Sequence, residues 1–148
     1  MTTAREVMTA GAECARAEET LLQAAQRMRE LDVGALPICG EDNQLHGVLT
    51  DRDIVVRCVA DGEDPSSTDV GSFAGEKPVT IGADDDVEEA LQTMIEHGVR
   101  RLPVIDGHQL VGMVSQADLA RELPAAQVGQ LVGAISSKSG NSGMTDRP

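Results

Sequence analysis

Residues 20–30 read Thr20-Leu21-Leu22-Gln23-Ala24-Ala25-Gln26-Arg27-Met28-Arg29-Glu30, and residues 86–96 read Asp86-Val87-Glu88-Glu89-Ala90-Leu91-Gln92-Thr93-Met94-Ile95-Glu96. Aligned end to end, the two stretches share Ala24/Ala90, Gln26/Gln92, Met28/Met94 and Glu30/Glu96. The match runs on through Val33/Val99, Leu36/Leu102 and Pro37/Pro103. One residue is then lost in a turn, and Leu45/Leu110, Gly47/Gly112 and Asp53/Asp118 follow in the same order. The chain is two copies of one unit.

Each copy has the same elements. Thr20 and Asp86 stand where helix caps belong, with Gln23 and Glu89 at the capping-box spacing. Leu21, Ala24, Ala25 and Met28, like Val87, Ala90, Leu91, Met94 and Ile95, recur at helical spacing. Two strand-like runs follow in each copy, 35–39 and 45–49, then 102–105 and 110–114, each pair joined by a turn-rich segment. A second helix is expected over 51–60 and 116–123, and a short strand before each first helix, near 12–15 and 79–81. The unit is β-α-β-β-α, so the fold class is α+β. A sheet this small cannot cover both faces alone, so the two repeats should pack as a pseudo-symmetric pair.

The expected organisation is repeat 1 over 1–60, a linker over 61–68 and repeat 2 over 69–123. A C-terminal helix is expected over 124–135 and a disordered tail over 136–148. Pro124 suits the first helical position, and Val128, Leu131, Val132 and Ile135 line one face of the last helix.

Twelve Lys and Arg stand against twenty-five Asp and Glu, a net charge of −13. That balance argues against nucleic acid and against an anionic membrane surface, both of which need a basic face. No apolar run is long enough to span a bilayer. Residues 1–19 hold no hydrophobic stretch of the signal-peptide kind, so the expected address is cytoplasmic. Phe73 is the single aromatic residue, which leaves little for stacking bases or sugars. The chain has no nucleophile elbow, no H-E-x-x-H and no P-loop, so no enzyme and no metal site are expected. His46, His97 and His108 are dispersed, and Cys14, Cys39 and Cys58 show no C-x-x-C spacing.

Two segments in each copy carry a family resemblance. They are Ala35-Leu36-Pro37-Ile38 with Leu45-His46-Gly47-Val48-Leu49-Thr50-Asp51-Arg52-Asp53, and Arg101-Leu102-Pro103-Val104 with Leu110-Val111-Gly112-Met113-Val114-Ser115-Gln116-Ala117-Asp118. The pattern resembles tandem CBS-domain proteins, or Bateman modules, over residues 1 to about 123. The resemblance implies a regulatory module that senses an adenosine-containing ligand (AMP, ADP, ATP or S-adenosylmethionine) in clefts between the repeats and acts on a partner protein. Asp53 and Asp118 would then accept a ribose diol, and Thr50 and Ser115 would offer hydroxyls to a phosphate. Val7, Met8, Ala35, Leu36, Pro37, Leu102 and Pro103 would form the cleft wall. Arg100 and Arg101 are the best-placed cations for a phosphate. If only one cleft binds, it should be theirs; the bland reading is a surface pair that neutralises nearby acids. Thr50, Ser115 and the two aspartates read equally well as helix caps. As exposed carboxylates, Asp53 and Asp118 should both tolerate Ala with the fold intact. The alternative function is a structural or interaction dimer, redox- or stress-linked, that binds no nucleotide.

A homodimer is expected on two grounds: stand-alone CBS pairs resemble half of a disc, and the apolar stripe on the last helix exceeds what one small domain covers. The alternative folds that helix back on its own chain. Cys14 and Cys39 lie in strands flanking one helix, close enough for a disulfide, while Thr80 and Ile105 hold the equivalent positions. Against the bridge stands a reducing cytoplasm, where both would stay thiols. Cys58 should be a core or free thiol.

Overall fold

The computed structural model describes residues 2–11, 13–74 and 78–146. In chain order its helices and strands are α1 (Ala4–Val7), β1 (Thr9–Ala10), α2 (Leu21–Leu31), β2 (Ala35–Cys39), β3 (Leu45–Thr50), α3 (Asp51–Ile54), β4 (Ile81–Gly82), α4 (Val87–His97), β5 (Arg101–Asp106), β6 (Gln109–Ser115), α5 (Gln116–Glu122) and α6 (Ala125–Asp146). The architecture is α+β, built from two repeats. The chain forms two compact bodies. One holds Ala12–Pro78 and His108–Leu110; the other holds Met1–Gly11, Val79–Gly107 and Val111–Pro148.

In the first-repeat body, the Thr20 hydroxyl accepts from Gln23 N at 3.2 Å and the Gln23 side chain accepts from Thr20 N at 2.9 Å. This reciprocal cap starts α2, whose Leu21, Ala24 and Met28 turn inward. β2 and β3 pair antiparallel, with Leu36 opposite Leu49 and Ile38 opposite Gly47. The core joins Ala15, Leu21, Leu36, Ile38, Leu49, Ile54 and Val70. The expected helix over 51–60 divides: α3 is regular, and Val55–Val59 forms a π-helical turn. Three β-branched valines crowd a regular turn there. The wider turn carries Cys58 into the core, where its thiol meets the Glu63 carbonyl at 3.5 Å. Cys58 is the buried free thiol expected.

In the second-repeat body the strand order is β1-β6-β5-β4. β4 runs parallel to β5, with Ile81 opposite Val104, and β1 runs antiparallel to β6, with Ala10 opposite Gly112. α4 buries Val87, Ala90, Leu91 and Met94 against Leu102, Val104, Val114 and Leu119.

The leading segment of each repeat lies in the body of the other. Ala4 N donates to Asp85 O at 2.8 Å and Arg5 N to Ala83 O at 2.9 Å. At the equivalent places Val70 N donates to Glu19 O at 2.8 Å and Gly71 N to Ala17 O at 2.9 Å. Ala4 and Val70 are fully buried. The short helix α1 has a capping box of its own, Thr3 with Glu6, which the sequence reading passed over. The strand expected near 12–15 reduces to a single parallel bridge from Ala15 to Ile38, and Ala12 lies outside the described residues.

The last helix departs from expectation in two ways. It runs to Asp146, through most of the segment read as a disordered tail; 147–148 lie outside the described residues. Propagating a helix costs little once a turn is fixed, and Leu131 and Ile135 fix two. Those two residues are buried in the core of their own body, beside α4 and α5. Half of the stripe read as a surplus for a second chain is thus covered by this one, while Val128 is half-buried and Val132 stays exposed. Among the described residues no helix is long and apolar enough to cross a membrane.

Candidate functional site

Two strand-to-helix junctions repeat the same construction. Where β3 meets α3, Asp51 N donates to Gly34 O at 2.9 Å; where β6 meets α5, Gln116 N donates to Arg100 O at 2.7 Å. The Thr50 hydroxyl accepts from Asp53 N at 3.0 Å while the Asp53 carboxylate accepts from Thr50 N at 2.9 Å. Ser115 and Asp118 do the same at 3.1 and 2.9 Å. Both motifs are therefore complete capping boxes. Each hydroxyl keeps its own hydrogen for an acceptor, and each carboxylate keeps one oxygen, Oδ1, outside the cap.

What meets that second oxygen differs. Asp118 Oδ1 accepts from the Arg121 guanidinium, three residues on, and the Asp118 side chain is only 7% exposed. Asp53 Oδ1 lies 3.8 Å from Arg57 Nη1, beyond hydrogen-bond range, and its side chain is 25% exposed. The Arg57 guanidinium instead covers the Phe73 ring, 4.5 Å from its centroid. Neither Arg57 nor Arg121 figured in the sequence reading. Their spacing from the motif aspartates, four and three residues along a helix, was the available signal.

The other expected site residues divide by burial. Ala35, Leu36, Pro37, Leu102 and Pro103 are buried; Leu36 and Leu102 belong to the cores of their bodies, and Ala35, Pro37 and Pro103 stand on the alternate face of their strands. Val7 and Met8 are half-buried in the second-repeat body, with Met8 against Gly112. Arg100 is exposed and Arg101 half-buried. Arg100 adjoins the Ser115 junction through its carbonyl, while the cation on the motif itself is Arg121. Elsewhere in the second-repeat body, the hydrogen bond to Asp106 raises the Arg5 guanidinium above its ordinary value, offset in part by burial. In the linker, the Ser66 hydroxyl and then its N–H hold Asp64 below the usual carboxylate range.

Asp118 is buried, which corrects the premise that both aspartates are exposed. Asp118→Ala should cost about 2 kcal/mol, because it removes a cap and strands Ser115 N and Arg121. Asp53→Ala should cost about 1 kcal/mol. Urea titration of both variants checks the order; equal losses would contradict it.

Cys14 and Cys39 are bonded, with their α-carbons 5.5 Å apart. Backbone pairing sets this up: Ala15 N donates to Pro37 O at 2.8 Å and Cys39 N to Ala15 O at 3.0 Å.

Residues 4–59 and 70–125 each match the CBS domain. The chain is 52% identical to Hypoxic response protein 1 of Mycobacterium tuberculosis over 137 residues, 93% of this chain and 96% of that one. A crystal structure of Hypoxic Response Protein I with two coordinated zinc ions superimposes with a TM-score of 0.77 at 53% identity, covering 83% of this chain and all of that one. The CBS domain pair of protein MJ0100, in complex with 5'-methylthioadenosine and S-adenosyl-L-methionine, superimposes with a TM-score of 0.72 at 21% identity, covering 82% of this chain and 94% of that one.

Proposed function

The chain belongs to the CBS-domain family, with two copies in one polypeptide, and from that premise we propose that it is a non-catalytic regulatory module that senses an adenosine-containing ligand and passes the signal to a partner protein. The carrying observation is the repeated junction, which offers a hydroxyl and a carboxylate one turn apart in each body. A carboxylate can accept both hydroxyls of a ribose, and charge-assisted bonds of this kind are strong. A CBS pair of the same fold holds two adenosyl ligands in the MJ0100 structure.

The test is a thermal scan with AMP, ATP and S-adenosylmethionine. A ligand at a hundredfold its Kd adds about 2.7 kcal/mol, a rise of about 5 °C or more in Tm for a chain of this size. No rise with any of the three would favour the second reading, an interaction protein that has kept the fold alone. One observation supports that reading: the caps already occupy part of both motifs.

The relative of known structure carries zinc. Among the described residues here, no three His, Cys, Asp or Glu side chains converge on a metal-sized site. Cys14 and Cys39 are joined to each other. The described residues do not make a zinc set within one chain.

We also propose that the module works as a homodimer. With Leu131 and Ile135 covered, the support comes from Val55, Val56 and Val59, which the helical turn after α3 leaves 58%, 44% and 55% exposed. Sedimentation should show twice the 15.6 kDa chain mass, and Val55→Glu with Val59→Glu should halve it. A monomer in the unaltered protein at micromolar concentration would sink this part.

A further inference from the structure

The two junctions share a sequence pattern but not a charge balance, and one residue accounts for the difference. In the first-repeat body the leading segment of the other repeat brings Phe73, and the guanidinium of Arg57 rests on its ring at 4.5 Å. That contact leaves Arg57 3.8 Å from Asp53 Oδ1, so among the described residues the oxygen takes no charge-assisted hydrogen bond. In the second-repeat body the position equivalent to Phe73 is Val7, which has no ring. Arg121 has no aromatic face to take it up there, and it lies on Asp118 instead.

We propose that the two motifs are unequal ligand sites. The Thr50–Asp53 motif is open to a vicinal diol because Phe73 draws Arg57 aside, whereas the Ser115–Asp118 motif is latched by Arg121. This rests on the nucleoside-sensing reading above and adds an occupancy rule to it: one ligand per chain, in the first-repeat body. It reverses the expectation that arginines mark the better site. A diol donates hydrogen bonds and needs acceptor oxygens, which an arginine competes for. Arg121 is 68% exposed, so the latch is of surface-pair strength and a change that removes it can open the second motif.

Two measurements test it, one of them without ligand. In arginine side-chain NMR spectra, the Arg57 Nε–H should show a ring-current shift that Phe73→Leu abolishes. The Arg121 resonances should move in Asp118→Asn and stay put in Phe73→Leu. An unshifted Arg57, or an Arg121 indifferent to Asp118→Asn, overturns the proposal. In calorimetry with AMP and with S-adenosylmethionine, the unaltered protein should bind one ligand per chain and lose it in Asp53→Asn. Arg121→Gln should bind two, and Phe73→Leu should bind about fivefold more weakly, as Arg57 falls onto Asp53. Two equal sites in the unaltered protein, or one that survives Asp53→Asn, overturns the occupancy rule while sparing the sensing function. If no variant binds either ligand while the NMR signatures hold, the sensing function itself fails and the occupancy rule falls with it.

Discussion

Breaking the Cys14–Cys39 bond should lower the stability of the protein by about 3.5 kcal/mol and its Tm by about 10 °C. The bond closes a loop spanning a sequence separation of 25 that holds all of α2. In the unfolded chain that closure removes conformations which the reduced chain regains, and the estimate follows from the loop length. The folded body should survive the loss. Its backbone pairing through Ala15 remains, and the second repeat makes the same β-α-β passage with Thr80 and Ile105 in place of the two cysteines. The measurement compares Tm with and without reductant, beside the Cys14→Ser/Cys39→Ser variant. Mass spectrometry after alkylation confirms the bond in the starting material. A fall of less than about 2 °C on full reduction would contradict the estimate.

Gly112→Ala is expected to destabilise by about 1–3 kcal/mol, whereas the equivalent Gly47→Ala should come within about 0.5 kcal/mol of the parent. A Cβ on Gly112 would stand 2.7 Å from the Thr9 carbonyl oxygen and 2.5 Å from the Met8 sulfur. Met8 is flexible and can swing away, but the Thr9 carbonyl belongs to a strand paired with β6 and cannot. β1 must lift, and it pulls on α1 and on the fully buried Ala4. A Cβ on Gly47 would find nothing nearer than the Ala74 Cα at 3.5 Å, an ordinary contact. Equilibrium unfolding in urea separates the two; matching losses would show that the glycine serves the motif for some reason other than the approach of β1.

Internal repetition made most of the elements legible. Each helix and strand found in one copy could be checked against the other, and the N-caps at Thr20, Asp86, Thr50 and Ser115 stand where they were expected, although Asp86 accepts from Glu88 N and forms no box with Glu89. Repetition says which residues are equivalent, however, not which body each packs in. Ala4 and Val70 look like the start of their own repeats and are buried in the other, because long-range pairing leaves no local periodicity to read. The arginines were hidden for a related reason. Arg57 and Arg121 are one position apart in the alignment, and their different roles depend on a phenylalanine that arrives from the other repeat. Arg100 and Arg101, the conspicuous pair, were assigned to a phosphate, and the cations at the two carboxylates are Arg57 and Arg121.

The exchange of leading segments also sets a schedule for synthesis. Residues 2–11 find their hydrogen-bond partners at 83–87 and in β6, so they are made long before the segments that pair with them. At about 5–20 residues per second, roughly ten seconds pass before β6 has been made. During that time Ala4 and its neighbours wait uncovered, and the first-repeat core lacks Val70 until the linker has been translated. Neither repeat can close early and leave the other to follow. A message truncated in the linker would yield a half with a hole at Val70 and an orphan segment at its front, a product for proteases and not a smaller working domain.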